Sequence, residues 1–171
     1  MIGTGIGIGT KVRLPSCLVS LLQLFGVQVM VNGRVQVWLE HFLDAQKAVA
    51  GTVHSHFRSQ EKTGLKLVAS VNIPAKVQEI VAWVPPGKGM AGEALVQGVP
   101  IQTCNLKDDS SGAVRPGAKA VDAQAAVALP VRSPSGEISA VVGIAYNHEH
   151  VFDPEELARL QEAAASVVTE L

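Results

Sequence analysis

Residues 123–147 carry two strongly apolar segments separated by one short polar turn. The first reads AQAAVALPV (123–131), the second reads EISAVVGIAYN (137–147), and Ser133-Pro134-Ser135-Gly136 joins them. Apolar runs of this length, bounded by turn residues, are typical of buried β-strands. Because the connection is short, the two strands must be antiparallel neighbours. The sequence therefore predicts an antiparallel sheet with this hairpin at its centre.

A second hairpin is predicted earlier in the chain. Its strands are AVAGTVHSHF (48–57) and LKLVASV (65–71), with residues 58–64 as the turn. A short helix then begins after Pro74 and ends at Pro85-Pro86, because proline cannot continue a helix. A glycine turn around Met90 leads into a second short helix, GEALVQG, and PIQTCNL forms a brief strand. The polar, aperiodic stretch 105–122 is predicted to be a functional loop.

The C-terminal residues predict an amphipathic helix. Asp153 can cap a helix that starts at Pro154, and Glu155 and Glu156 suit its first turn. Its apolar residues recur at helical spacing, which predicts one buried stripe. The stripe consists of Leu157, Leu160, Ala164, Val167, Val168 and Leu171.

The segment VQVMV-NG-RVQV supports two interpretations. Alternation around Asn32-Gly33 is a hairpin signal, but the residues from Val35 onward also form one apolar helical stripe. We favour a helix over Val35–Ala48 preceded by a turn at Asn32-Gly33. With the strands above, this order predicts an α+β fold in which the terminal helices pack together on one face of the sheet.

The composition excludes several classes of protein. The chain has 171 residues, of which 47% are hydrophobic and 17% are charged, so one folded domain is expected rather than a disordered chain. A net charge of −1 offers no basic surface for nucleic acid. The two cysteines, Cys17 and Cys104, cannot form a disulfide framework, which favours a reducing, cytoplasmic setting.

The first 34 residues differ from the remainder. Residues 1–10 are glycine-rich, and no charged residue occurs between Leu14 and Val31. A membrane anchor over 14–31 is one interpretation, but polar residues and Pro15 interrupt the run. We expect residues 1–34 to form an arm, helix or hairpin, that packs on the domain or on a second copy of the chain. The apolar residues that support a homodimer are Leu18, Leu21, Leu22, Phe25 and Phe42.

Four segments in order resemble GAF domains. They are GLKLVASVNIP (64–74), PPGKGMAGEALVQGVPI (85–101), ALPVR with GEISAVVGIAY (128–146), and VFDPEELARLQEAAASVV (151–168). The resemblance covers residues 35–171. It implies a profilin- or PAS-like antiparallel sheet of five to six strands, with the N- and C-terminal helices on one face. Short helices and the long loop would form a small-molecule pocket on the other face.

The resemblance implies a sensory or regulatory role in signal transduction, with a small-molecule ligand, dimerisation and an output domain or protein acting in trans. The Asn-Lys…Phe-x-x-x-Asp-Glu pattern of the cyclic-nucleotide binders does not occur in the sequence. Free methionine-R-sulfoxide reductases are GAF-like enzymes, so a thiol-dependent reductase using Cys104 is the alternative. We assign no catalytic residue and no cofactor.

Two pairs of histidines suggest a metal site. His54 and His56 project from the same face of a strand, and His148 and His150 follow the last strand. If the first and last of these strands pair, four imidazoles could approach one another and hold a metal ion. Spacings this short without a cysteine or carboxylate on the same element are also typical of ordinary surface and core histidines.

The candidate pocket combines the position of each residue in the predicted elements with the resemblance. Trp83 is included because an aromatic ring on the short helix beside the glycine turn could pack against a flat ligand. The candidate ligand-binding residues are His54, His56, Trp83, Met90, Cys104, Asp108, Asp122 and Ala126.

Overall fold

The computed structural model describes residues 32–104 and 123–171. Helix α1 spans residues 32–46. Strands β1 (Ala50–Arg58) and β2 (Thr63–Val71) follow, then α2 (Ala75–Val81), β3 (Trp83–Val84), α3 (Gly89–Gln97) and β4 (Ile101–Thr103). The hairpin β5 (Ala125–Arg132) and β6 (Ile138–Tyr146) precedes α4 (Pro154–Ala165) and a 3-10 turn (Ser166–Thr169). No helix among these residues is both long enough and apolar enough to cross a membrane.

The six strands form one antiparallel sheet in the order β3-β2-β1-β6-β5-β4. The predicted α+β fold with a central β5–β6 hairpin is therefore confirmed, and the number of strands is six. Strand β6 lies between β1 and β5, so both of its edges are hydrogen-bonded. Burial on both sides explains why its sequence is an almost continuous apolar run.

The predicted packing of the terminal helices on one face is also confirmed. The indole N–H of Trp38 in α1 donates to the Ser166 hydroxyl at 3.0 Å, and Arg34 pairs with Glu170 at 2.9 Å. Between these helices and the sheet lies the larger core. Its fully buried members include Val35, Leu39, Val53, Leu129, Val142, Ile144, Ala164 and Val167.

Three local predictions are wrong. Asn32 and Gly33 lie inside the first turn of α1 rather than in a preceding turn, and the helix ends at residue 46. Phe42, expected at a dimer interface, is 6% exposed because its ring stacks on Trp38 within the core. The short helix after Pro74 ends at Val81 instead of continuing to the prolines.

Trp83 consequently lies on a strand rather than on a helix. Trp83 pairs with Lys66 and Val84 pairs with Leu65, which places β3 at the edge of the sheet. The residue before a proline avoids helical geometry, and Val84 precedes Pro85. The strand pairing and this restriction together account for the early end of α2.

Two valines of α1 provide a matched test of the core. Val35 is fully buried, whereas Val37 is 52% exposed. We expect Val35→Ala to lower the free energy of unfolding by about 2 kcal/mol, because it removes buried methyl groups and leaves a cavity. Val37→Ala should change it by less than about 0.5 kcal/mol. Chemical denaturation of both variants measures the difference, and equal losses would contradict this packing of α1.

Candidate functional site

The two faces of the sheet carry different layers. A Cβ atom at Gly51 would meet the Leu43 and Leu39 side chains of α1, so odd-numbered residues at this point of β1 point toward the long helices. Neighbouring residues in a strand point to opposite faces. Thr52 and His54 therefore point to the other face, which we call the short-helix face because α2 and α3 pack on it.

His54 is a buried polar residue on the short-helix face. Its side chain is 3% exposed, and its Nε2 lies 3.0 Å from the carbonyl oxygen of Val81 at the end of α2. Because a carbonyl can only accept, Nε2 must carry the proton and donate. In the neutral ring, Nδ1 is then a bare acceptor. Nδ1 is buried and has no hydrogen-bond partner among the described residues.

Burial lowers the pKa of His54 to about 4, although the hydrogen bond to Val81 acts in the opposite direction. The imidazole is therefore neutral near pH 7. A buried acceptor without a donor destabilises the protein by about 1–3 kcal/mol relative to a paired one. Such a group is typical of a position that a ligand or a water molecule completes.

Small residues lie beside His54 on the same face. His54 pairs with Val141 on β6. Two residues earlier in β1, Thr52 pairs with Gly143, and this pair also lies on the short-helix face. A Cβ atom placed on Gly143 would have one near neighbour among the described residues, apart from the residues next to it in the chain. That neighbour is the Thr52 hydroxyl, and no other atom of those residues lies within 4 Å. Glycine inside a strand often marks a close approach by a ligand or by another backbone.

The strand β5 extends this floor of small side chains. Ala128 pairs with Gly143, and Ala126 pairs with Ala145. Met90, at the start of α3, packs with Ala126 and Ala145 around the buried Ala123. The floor of the candidate site therefore consists of Thr52, His54, Ala126, Gly143 and Ala145, whereas the neighbouring Ala128 is buried in the second core beneath α3.

The first turn of α3 lies close against the segment that precedes the helix. A Cβ atom at Gly92 would lie 2.5 Å from the carbonyl oxygen of Pro85, so only glycine allows the helix this position. Leu95 and Ala94 from the same helix pack with Leu65 and Val141 in a second, smaller core. This core positions the start of α3, with Met90, at the edge of the candidate site.

The structure brings together two of the predicted ligand-binding residues, Met90 and Ala126, around Ala123, and His54 lies on the same face of the sheet about 13 Å away along the strands. Cys104 is an exposed free cysteine that directly follows Thr103, the partner of Ala126 in the sheet. Asp108 and Asp122 lie outside the described residues, as do residues 1–31 of the predicted arm, the proposed anchor over 14–31 and the arm's dimer contacts.

Two predicted residues lie away from this group. The Nδ1 of His56 is 2.8 Å from the Ile138 carbonyl oxygen, at the opposite end of β6 from Ala145. Trp83 points away from its neighbour Val84, which packs on the short-helix face. The Trp83 ring lies over Gly64, in edge-to-face contact with Phe57, and the Lys62 ammonium is 3.6 Å from its centre.

The pair His54 and His56 does not approach the pair His148 and His150. β1 and β6 do pair, as the metal hypothesis requires, but His54 lies opposite Val141 and Ala50 lies opposite Ala145. Four residues of strand separate these positions, about 13 Å, and His148 lies beyond the end of β6. No group of three or more metal-binding side chains occurs within 32–104 and 123–171. The four-imidazole cluster that the sequence offered as an alternative is therefore not formed by these residues.

The sequence prediction missed Thr52, Gly143 and Ala145. Two signals were available in the residues themselves. Thr52 is two positions from His54, so it shares the face of a strand with it. Gly143 lies between Val142 and Ile144 in a central strand, where glycine often indicates that space above the backbone is needed.

Comparison with solved structures finds the same fold in several proteins. The GAF domain of a phosphoenolpyruvate-protein phosphotransferase from Coxiella burnetii has a TM-score of 0.66 at 18% identity, with 90% of each chain covered. A GAF domain/HD domain protein from Geobacter sulfurreducens has a TM-score of 0.62 at 12% identity, covering 82% of this chain and 90% of that one.

A type II free methionine-R-sulfoxide reductase from Thermoplasma acidophilum is also similar. Its TM-score is 0.63 at 19% identity, covering 84% of this chain and 95% of that one. At these identities the similarity shows the fold alone. A comparison with curated protein sequences finds no significant match.

The sequence comparison with protein families is decisive. The model of the GAF domain family matches residues 33–169, which is most of the chain. The matched range includes both hairpins, the short helices and the C-terminal helix described above. The chain belongs to the GAF domain family.

Proposed function

We propose that this GAF domain is a sensory or regulatory domain that binds a small molecule on the short-helix face. The unpartnered Nδ1 of the buried His54 carries this proposal. A small-molecule site needs a mostly apolar surface with a few oriented polar groups. The alanine and glycine floor supplies that surface, and the Thr52 hydroxyl adds a second polar group beside Gly143.

The state of Nδ1 defines the ligand's chemistry at this point. An unprotonated ring nitrogen accepts hydrogen bonds, so the ligand presents an N–H or O–H group to it. A cationic ligand group would also be favoured there over an anionic one, because the unprotonated Nδ1 carries a partial negative charge. The remainder of the ligand extends along β6 over Gly143 toward Ala145.

His54 also provides a route from the ligand to the fold. The same ring contacts the last carbonyl of α2 through Nε2, and the backbone N–H of Leu67 donates to the next carbonyl, that of Ala82, at 3.1 Å. A ligand that tilts the imidazole therefore shifts the end of α2 relative to β2. We propose that this shift is the signal passed to an output partner.

The enzyme alternative rests on Cys104 and on the reductase fold similarity. In such a reaction the thiolate would take the sulfoxide oxygen, releasing methionine and leaving a sulfenic acid. A second thiol would then condense with the sulfenic acid to form a disulfide and water, and a further thiol would reduce that disulfide to restore Cys104. Cys104 is the only cysteine in the described residues, so an external thiol would be required for the second step.

His54 variants test ligand binding. Glutamine can retain the donor at the Nε2 position but lacks the Nδ1 acceptor, whereas asparagine places an acceptor near Nδ1 and loses the donor. In a screen of small metabolites followed by ¹⁵N NMR of the histidine rings, a ligand should shift the His54 signals and leave the exposed His41 unchanged. We expect His54→Gln to weaken its binding about tenfold, the cost of one buried hydrogen bond, and His54→Asn to weaken it less.

One result of this screen would contradict the role of Nδ1. A ligand that binds His54→Gln as tightly as the natural chain, with both variants folded by circular dichroism, would show that Nδ1 is not its acceptor.

Cys104→Ser separates the two functional classes. If the domain is a sensor, the variant should bind ligands found in the screen with unchanged affinity. Free methionine-R-sulfoxide incubated with dithiothreitol should give no methionine above the uncatalysed rate with either protein. Methionine formation by the natural chain that is abolished in Cys104→Ser would establish the reductase instead. Chromatography of the amino acids measures both outcomes.

The lowered pKa of His54 predicts a pH-dependent stability. In the unfolded chain the imidazole titrates near pH 6.5, and in the folded chain near pH 4. Between these values the unfolded state binds a proton that the folded state does not, so stability falls as the pH is lowered from 6.5 toward 4. The loss should approach about 3 kcal/mol, measured by urea denaturation.

Substitution isolates the contribution of His54 to this pH dependence. His54→Gln should remove most of the loss between pH 6.5 and 4, whereas His41→Gln, at an exposed position of α1, should retain it. An identical pH profile for the natural chain and His54→Gln would contradict a neutral, buried His54.

A further inference from the structure

A cavity lies on the side of the sheet opposite to His54, where β6 ends beside α4. Its volume is about 190 Å³. The residues that line it come from the end of α1, from β6 and its following turn, and from α4. They are Gln46, Lys47, Tyr146, His148, His150, Glu156, Arg159 and Leu160.

Aromatic contacts build the wall of this cavity. The ring of His150 stacks on Tyr146 at 5.0 Å between centroids and contacts Phe152 at 4.5 Å. The ring of His148 contacts the edge of Tyr146 at 5.7 Å. Tyr146 and Phe152 are buried in the larger core, which fixes the wall in place.

The single carboxylate among the lining residues is already engaged. The Nε2–H of His150 donates to Glu156 and lies 2.9 Å from each carboxylate oxygen. Both side chains are mostly shielded from solvent, with 25% and 20% of their surfaces exposed. Because His150 donates to both oxygens, the negative charge of Glu156 is partly offset inside the cavity.

Two cations at the rim have no such partner. Within residues 32–104 and 123–171, the side chains of Lys47 and Arg159 form no hydrogen bond or ion pair. The Tyr146 hydroxyl also lacks a hydrogen-bond partner in this part of the chain. Burial and the charge of Glu156 raise the pKa of Tyr146 to about 12, so this hydroxyl remains a donor at neutral pH. The cavity therefore presents unused donors and one excess positive charge, even with neutral histidines.

We propose that this cavity binds a small oxygen anion, the carboxylate or phosphate group of a metabolite, between Lys47 and Arg159. Arginine pairs with both groups through two parallel hydrogen bonds, and lysine adds a point charge. The volume admits only a compact anion. The site is separate from the one at His54, because Tyr146 and His54 lie on opposite faces of the sheet.

Titration with two simple anions tests the site. Inorganic phosphate and succinate are added to the full chain at constant ionic strength, and amide and imidazole NMR signals are recorded. We expect saturable shifts at Lys47, at His148 and His150, and at Arg159. Tighter binding of phosphate would identify phosphorylated metabolites as the source of the anion, and tighter binding of succinate would identify carboxylic acids.

Variants of the two cations separate a specific site from general attraction. Arg159→Gln and Lys47→Asn should each weaken binding at least fivefold, and the double variant should show no saturable shift. Lys47 has a backbone φ of 55°, a left-handed conformation that asparagine tolerates well, so Lys47→Asn should remain at least as stable to heat. A loss of binding together with retained stability indicates a binding role.

Lys76→Gln is the matched control. Lys76 is an exposed lysine on α2. This variant should bind both anions as the natural chain does. The proposal is overturned if neither anion produces saturable shifts at the cavity, or if Lys76→Gln weakens binding as much as Lys47→Asn.

Discussion

The antiparallel pairing of β1 with β6 holds this domain together and positions both candidate sites. These strands occupy the middle of the sheet, and their register sets Thr52 against Gly143 and His54 against Val141. A shift of one residue would turn His54 toward the long helices and would place Val53 under α2. The buried valines of both strands oppose such a shift, because they would lose their place in the larger core.

This register explains why a polar residue can persist at such a buried position. A neutral imidazole with one satisfied nitrogen is less costly to bury than a charged one, and the Val81 carbonyl satisfies Nε2. The remaining unpaired nitrogen is still unfavourable in the folded chain. A group of this kind reduces stability without a ligand and would favour the bound state of the proposed sensor when a donor arrives.

Much of the architecture could be predicted from sequence, because the capping, turn and apolar patterns of each segment favour the same elements that the complete fold contains. One example is the β5–β6 hairpin. Another is the Asp153 cap of α4, where the Asp153 carboxylate accepts a hydrogen bond from the Glu156 backbone N–H at 2.8 Å. Trp83 could not be placed, because a two-residue edge strand has no periodicity and forms only through pairing with β2. The four-histidine hypothesis assumed correctly that β1 and β6 pair, but ring positions depend on register, which composition and spacing leave open.

Strand β6 links the two faces at its end. Ala145 contributes to the floor near Met90, and the next residue, Tyr146, forms the wall of the cavity beside α4. Alternating side chains of β6 thus contribute to the floor on the short-helix face and to the cavity beside α4. A displacement of the β6 backbone would therefore move residues of both. Because β6 is paired on both sides, such a displacement must be small or must move β1 and β5 with it. Coupling between the two proposed sites would therefore be expected through a collective shift of the central strands rather than through a loop.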